Sequence, residues 1–338
     1  MNTASAKRVL IVGVGSIGHR HLRCFQQTGR VELAICETNG PLCAEIAKQY
    51  GIERTFNDFG AALAEGFDAV VITTPAHLHV SMATQAAQAG AHLLIEKPLS
   101  TSLKGLDQLQ AVVQQQQRVA AVAYVLRASP ILQAMREALH SGRFGAPVQL
   151  IVNCGQHFPT FRPAYRTIYY RDRATGGGAI QDALTHMVNM AEWMIGPADR
   201  VVVDAAHQVL EGVEVEDTVH LLSRHGAVMG SFALNQHQAP NETTLMVVCR
   251  GGTARYEAHR NLWAWTIQPN EPWHEERSTP LERDTLFVRQ AESFLDAIEG
   301  RAAPLCSLAE GIQTLRVNLA ALASCQLGAW QSIREGSS

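Results

Sequence analysis

The sequence predicts an α/β domain followed by an α+β domain, and two contrasts in its pattern carry that expectation. Between residues 8 and 124, apolar runs of five or six residues alternate with stretches of helical period, which is how a parallel sheet with covered faces reads. From Val201 to Thr266 polar and apolar residues alternate instead, with turns at Arg224-His225-Gly226 and Arg250-Gly251-Gly252, which argues a mostly antiparallel sheet. A chain of 338 residues suits two domains, expected over 1–124 and 125–338.

The first domain is read element by element. Arg8–Val12 is a buried strand. Gly13 to Gly18 make a turn, and a helix runs on to Gln27. Val31–Cys36 is the second apolar strand, ending at Glu37, and a helical pattern begins after Pro41. Asp68–Thr73 is another strand, turned by Thr74-Pro75 into a helix from about His77 to Ala89. Ala91–Ile95, a Gln/Leu-rich helix over Leu103–Gln117 and a last strand at Val119–Tyr124 complete a Rossmann-type unit of about 120 residues.

In the second domain a helix over Pro130–Ser141 precedes a strand at Pro147–Cys154. A polar, aromatic loop runs to Thr175, and Gly176-Gly177-Gly178 opens a helix to about Ile195. The alternating strands follow. Helical patterns at Leu286–Ile298 and Leu308–Leu327 close the chain, so helices are expected on one face of the sheet.

Composition narrows the function classes. The chain is 46% hydrophobic and 17% charged with a net charge of −3, which suits a soluble globular protein and lacks the basic excess of a nucleic-acid binder. No apolar run approaches a membrane span, and the N-terminus leads straight into a strand, so neither membrane anchoring nor a signal peptide is expected. The seven cysteines (24, 36, 43, 154, 249, 306 and 325) are scattered and form no CxxC pair. Reduced thiols in a cytoplasmic protein, with no metal site, are expected.

Gly13-Val14-Gly15-Ser16-Ile17-Gly18 follows a strand and opens a helix. In this setting the first glycine permits the tight turn, and the second lets main-chain N–H groups approach a pyrophosphate. The third lets helix and strand pack, with the helix N-terminus facing the anion. Glu37 ends the second strand, 24 residues after Gly13. A carboxylate there accepts from adenosine ribose hydroxyls and repels a 2′-phosphate; Thr38-Asn39 follow and bring no arginine, so NAD is favoured over NADP. Thr73, Thr74, Pro75 and His79 lie at the carboxyl end of the Asp68–Thr73 strand. They either line the nicotinamide ribose or form a capped turn with a surface histidine.

Residues 91–98 read Ala-His-Leu-Leu-Ile-Glu-Lys-Pro. A lysine at the end of a buried strand is placed where ligands of open α/β sheets bind. Lys97 is therefore a candidate for catalysis or nicotinamide positioning, against the alternative of a solvated lysine. Pro98 fixes the backbone and is compatible with a cis bond. Glu96 either pairs with the lysine or contacts the cofactor. In the second domain Asp182 and His186, four apart in a helical pattern, share a face. A carboxylate beside an imidazole suits a general base; a surface pair or a satisfied buried histidine is the alternative. The loop from His157 to Arg173 holds Arg162, Tyr165, Arg166, Tyr169, Tyr170, Arg171 and Arg173, either to bind an oxygen-rich or acidic substrate or to pack the loop or a subunit contact.

Taken together these motifs resemble the glucose–fructose oxidoreductase / inositol dehydrogenase / MocA family. The resemblance runs nearly end to end: the glycine motif with His21, Thr74-Pro75 with His79, Glu96-Lys97-Pro98, Tyr124 with Arg127 and Pro130, Gly142-Arg143-Phe144-Gly145, the glycine run with Asp182 and His186, and the closing Phe294…Pro304 segment. It implies a Rossmann domain followed by a C-terminal domain with a large open-faced sheet. It also implies NAD(P)-dependent hydride transfer with a sugar, polyol or sugar-acid hydroxyl. Lys97, Asp182 and His186 would be the active-site set, and Tyr124 joins Arg162, Tyr165, Arg166 and Tyr169 as a candidate substrate contact. Assembly as a homodimer or homotetramer through the sheet is implied as well. The family also contains enzymes that hold NAD tightly and use transient oxidation to eliminate or hydrolyse a glycosidic substituent, and non-catalytic dinucleotide-binding sensors. Many members carry an acid one turn beyond the histidine, where this chain has Asn189.

Overall fold

The computed structural model describes residues 6–333. The first five residues, part of the N-terminal segment read as lacking a signal peptide, lie outside that range. The chain begins with β1 (Lys7–Val12), α1 (Ser16–Gln27), β2 (Val31–Cys36), α2 (Gly40–Tyr50), β3 (Arg54–Phe56), α3 (Phe59–Ala64), β4 (Ala69–Ile72), α4 (His79–Gln88), β5 (His92–Ile95), α5 (Leu106–Gln115) and β6 (Ala120–Val122). It continues with α6 (Pro130–His140), β7 (Pro147–Gly155), α7 (Phe158–Phe161), α8 (Thr185–Ile195), β8 (Arg200–Ala206), β9 (Thr218–His225), β10 (Val228–Asn235), β11 (Glu242–Cys249), β12 (Gly252–Glu257), β13 (Leu262–Thr266) and β14 (His274–Arg277). It ends with α9 (Thr285–Ile298), α10 (Leu308–Leu327) and β15 (Gln331–Ser332).

The first sheet is parallel, in the order β3-β2-β1-β4-β5-β6. Its central strands are buried on both faces: Val9, Leu10, Ile11, Ala69, Val70, Val71 and Ile72 expose no side-chain surface, the consequence of helices covering both sides. The strand order reverses between β1 and β4, and the crevice at the carboxyl ends there is where such sheets take ligands. β3, only three residues of mixed exposure, escaped the sequence pattern because Arg-Thr-Phe is too short and too polar to show a period.

The second sheet has nine strands in the order β14-β13-β12-β11-β7-β10-β9-β8-β15. All neighbours are antiparallel except β7 and β10. Alternation sorts its two faces: Val219, Leu221, Phe232 and Leu234 are buried, whereas Leu222 and Met229 are each 52% exposed. Helix α6 packs on β12 and β13, and α8 on β7. β14, His-Glu-Glu-Arg, is wholly exposed, so no apolar alternation betrays it.

Packing divides the chain differently from the expected cut between 124 and 125. One compact unit holds the residues up to Ala128 together with Leu281–Ile312, the other Ser129–Pro280 and the residues from Gln313 on. The return of α9 to the first unit has a plain cause. Its Ala291, Phe294 and Leu295 are buried in one apolar cluster with Val9, Ile11, Leu22 and Phe25, and Phe294 meets Phe25 edge-on at 6.3 Å. Ion pairs reinforce it: Arg23 with Asp284, and Arg30 with Asp296 and Glu299. Buried Arg127 donates to Leu305 O at 2.9 Å and pairs with Glu310. An amphipathic helix shows that it has an apolar face, not which core receives it.

Candidate functional site

In the first unit, Gly13 has φ +82°, a conformation that favours glycine. A Cβ on Gly18 would lie 1.8 Å from Gly13 O and 2.5 Å from Thr73 Oγ1, so only glycine lets α1 pack against the turn. The Thr73 hydroxyl, 2.9 Å from Val12 O and 2.5 Å from Gly13 O, fastens the end of β4 to that turn. Gly15 is the opposite case: nothing lies within 4 Å of where its Cβ would be. Gly15 caps α1 without a side-chain hydrogen bond, and the first bond within the helix is His19 N–H to Gly15 O. The N–H groups of Ser16, Ile17 and Gly18 precede that bond, as helix-initial donors do. A turn closed at Gly13 and Gly18 but open at Gly15, above unpaired helix-initial donors, fits a pyrophosphate.

Glu37 is bound into the same corner. Its Oε2 accepts from Val14 N–H at 2.9 Å and its Oε1 from Asn39 N–H at 2.9 Å. The carboxylate therefore stands beside the glycine turn in one orientation. Thr74 is half-buried, with its hydroxyl on Met82 Sδ at 3.5 Å, and Pro75 is exposed.

Lys97 follows β5, half-buried, with a cis Lys97–Pro98 peptide. Two buried histidines brace its backbone. His21 of α1 meets Glu96 Oε1 at 2.7 Å, and Glu96 Oε2 accepts from Lys97 N–H at 2.9 Å. On the other side His79 lies 2.7 Å from Thr74 O and 3.1 Å from Pro98 O. Burial opposes the charged form of Glu96, but the His21 hydrogen bond and the nearby His21 and Lys97 charges outweigh it and hold the carboxyl below its ordinary value. Burial pushes His79 down despite its carbonyl partners. Of the candidate cofactor contacts, then, Glu96 and His79 are enclosed and committed to protein partners. His79 is 1% exposed, not the surface residue of the capped-turn alternative. Tyr124, just beyond β6, is also buried.

In the second unit, the helix expected from the glycine run begins as a π turn over Ile180–Leu184 and becomes α8 at Thr185. The reason is close packing: a Cβ on Gly177 would lie 2.2 Å from Tyr170 O, and one on Gly178 2.4 Å from Glu216 Oε1. Asp182 is 2% exposed. Its Oδ2 accepts from Arg162 at 3.0 Å and its Oδ1 from the Tyr169 hydroxyl at 2.7 Å. His186, half-buried, follows on the first turn of α8. Of the five candidate substrate contacts, the fold gathers Arg162 and Tyr169 at Asp182. Tyr165 goes elsewhere: it is buried in an aromatic cluster with Phe158 and Tyr170 and donates to Glu211 O at 2.9 Å. Arg166 donates to the Tyr165 hydroxyl at 3.0 Å and reaches Glu211 at 3.3 Å. Asn189 is buried and donates to Thr314 Oγ1 at 3.0 Å, a packing role within this unit.

Sequence reading passed over Glu216. It is 1% exposed and bound to Arg173 and Ile180 N–H. Its one signal was the acidic pair Glu216-Asp217 immediately before an apolar strand. Among the described residues no group of His, Cys, Asp and Glu is arranged to hold a metal, and no helix is long and apolar enough to cross a membrane.

Known proteins match the chain over most of its length. Residues 7–124 match the model of an oxidoreductase family with an NAD-binding Rossmann fold, and residues 132–255 match the GFO/IDH/MocA C-terminal domain. UDP-N-acetylglucosamine 3-dehydrogenase of Acidithiobacillus ferrooxidans is 25% identical over 93% of this chain and 95% of its own. Inositol 2-dehydrogenase of Rhizobium meliloti is 26% identical over 93% of each chain. Levoglucosan dehydrogenase, solved with NADH and levoglucosan, superposes with a TM-score of 0.89 at 20% identity, covering 98% of this chain and all of its own, a likeness of fold. The WlbA dehydrogenase from Bordetella pertussis, solved with NADH and UDP-GlcNAcA, gives 0.83 at 25% identity over 98% of this chain and all of its own. With a glycine cradle, a bound acid at the end of β2 and matching models over both halves, the chain belongs to the Gfo/Idh/MocA family of NAD-binding oxidoreductases, whose members include sugar and polyol dehydrogenases.

Proposed function

We propose that this protein is an NAD-dependent dehydrogenase acting on a CH–OH group of a sugar, polyol or sugar acid, with Lys97, Asp182 and His186 as its active-site set. The observation that carries the reading is the intact set in an ordered setting: Lys97 braced at a strand end of the NAD-binding sheet, and His186 one turn after a buried, doubly bonded Asp182. The residues that would hold the cofactor are Gly13, Gly15, Ser16, Ile17 and Gly18 for the pyrophosphate and Glu37 for the adenosine ribose, with Thr73, Thr74 and Pro75 toward the nicotinamide. A carboxylate fixed beside the glycine turn favours NAD over NADP by charge. When bound, the nicotinamide supplies the hydride acceptor.

His186 takes the proton of the substrate hydroxyl as general base. Asp182 favours the imidazolium that results, while Arg162 and Tyr169 hold the carboxylate still. The Lys97 ammonium supplies the positive charge that stabilises a developing alkoxide. Arg162, whose side chain is 44% exposed although bonded to Asp182, and Tyr169, 40% exposed, offer the remaining donors for an oxygen-rich or acidic substrate. Glu96, His79, Tyr165 and Arg166 serve this site by packing. Copies of the chain assemble as a homodimer or homotetramer through the exposed face of the nine-stranded sheet, where Leu222 lines a groove of about 520 Å³ and Met229 is likewise exposed. The seven cysteines, which form no disulfide among the described residues, support a cytoplasmic setting.

The test is NAD and NADP reduction, followed by absorbance across polyols, aldoses and sugar acids, with the cofactor content of the purified protein recorded. NADH formation with one substrate class, lost in Lys97→Ala, supports the reading. No net reduction by a protein that retains NAD through purification would replace it with redox-assisted elimination or hydrolysis.

A further inference from the structure

We propose that Glu216 is a positioning residue for the reaction, acting through Asp182 and the loop that carries Arg162 and Tyr169. Glu216 precedes β9 and is buried beneath the glycine run. Its Oε1 accepts from Ile180 N–H at 3.1 Å, and its main-chain oxygen accepts from Ala179 N–H at 2.9 Å. Two successive N–H groups at the start of the π turn thus end on one residue. On its other side, Glu216 Oε2 takes the guanidinium of Arg173 at 2.8 Å, while the Tyr170 hydroxyl nearby donates to Gln236.

The consequence is geometric. Asp182 lies two residues beyond Ile180, so the clasp sets where its carboxylate stands. Arg162 and Tyr169 lie on the loop whose closing residue, Arg173, the same clasp holds. Both sides of the Arg162–Asp182–Tyr169 arrangement are therefore referenced to a single carboxylate. Gly178, with φ +87°, is what admits it, since any Cβ there would meet the carboxylate at 2.4 Å. Negative charge is also favourable at the first turn of a helix. A carboxylate buried this deeply needs its cation, which gives Arg173 a function that an exposed loop arginine would otherwise lack. The hydrogen-bond partners of Glu216 lie between Arg173 and Ile180.

This inference rests on the dehydrogenase reading. The experiment is steady-state kinetics of wild type, Glu216→Gln, Glu216→Ala and Arg173→Ala on the substrate found in the panel, with NADH affinity measured by fluorescence. Misplacing a catalytic group by about 1 Å costs on the order of a hundredfold. Glu216→Ala is expected to lose roughly that much in kcat, with its NADH affinity within about twofold of wild type. Glu216→Gln, which keeps an acceptor for Ile180 N–H, and Arg173→Ala, which keeps the carboxylate, are each expected to lose about tenfold. This graded recovery at constant NADH affinity is what a purely structural role would not give. If the folded variants match wild type in kcat, the positioning role is overturned and the dehydrogenase reading stands. If wild type itself turns over nothing in the panel, the dehydrogenase reading fails and takes this inference with it.

Discussion

Around Lys97 most of the bracing ends on main chain: Glu96 takes the Lys97 N–H, and His79 stands between the carbonyls of Thr74 and Pro98. Around Asp182 it is side chain on side chain: a guanidinium and a phenol on one carboxylate, and a second arginine on Glu216 nearby. The first region inherits its geometry from a regular parallel sheet, whose strand ends are placed before any side chain is chosen. The second sits on a loop and a π turn, where position depends on buried charges finding their partners. A site built the first way tolerates conservative change on its periphery. One built the second way fails when a single partner is removed.

The largest expected effect tests the shared premise that both regions serve one reaction. Lys97→Ala and His186→Ala should each lower kcat by about 10²–10⁴-fold while NADH titration gives near wild-type affinity; full activity in either would separate that residue from the chemistry. Next, Gly18→Ala should abolish measurable NADH binding, since its Cβ would lie 1.8 Å from Gly13 O. Urea unfolding of the same variant should show whether the cradle alone or the whole first unit gives way. Arg162→Ala sharpens the contrast in the second unit. It strips a guanidinium from the buried Asp182 carboxylate, and because Arg162 is nearly half exposed the cost should be about 1–2 kcal/mol, below the 3–5 kcal/mol of fully buried pairs. An unchanged denaturation midpoint would show that the pair contributes nothing.

The smallest effect is in pH. His79 is held below its ordinary value of 6.5 by burial. As pH falls through about 6.5 the unfolded chain takes up a proton that the folded chain resists, so stability declines toward acid. Glu96 is held below its ordinary 4.5, and its contribution is lost at lower pH still, as the carboxyl protonates. The melting temperature should therefore fall between about pH 7.5 and about pH 5.5. His79→Asn, which keeps a donor but cannot titrate, should flatten that slope; an identical slope would place the titration elsewhere.

Legibility followed the same division. In the first unit the glycine motif, Glu37 and Lys97 announce themselves because each sits at a fixed offset from an apolar run. What the run does not disclose is the partner. Glu96 and His79 stand at motif positions beside other candidate cofactor contacts, yet both turn inward. In the second unit Asp182 and His186 were visible by spacing, whereas the separation of Arg162 and Tyr169 from Tyr165 and Arg166 was not. Four residues of the same two types lie within eight positions, and only the folded loop decides which reach Asp182 and which reach Glu211.

By itself, the sequence determined the parallel first sheet, the alternating second sheet and the phosphate-type turn, because these depend on local period and on glycines whose role is steric. Only the tertiary structure decided that α9 belongs to the first unit, that the glycine run opens a π turn, and that Glu216 lies beneath it. Each of these depends on which buried surface or buried charge meets which partner far along the chain, and no local pattern encodes that meeting.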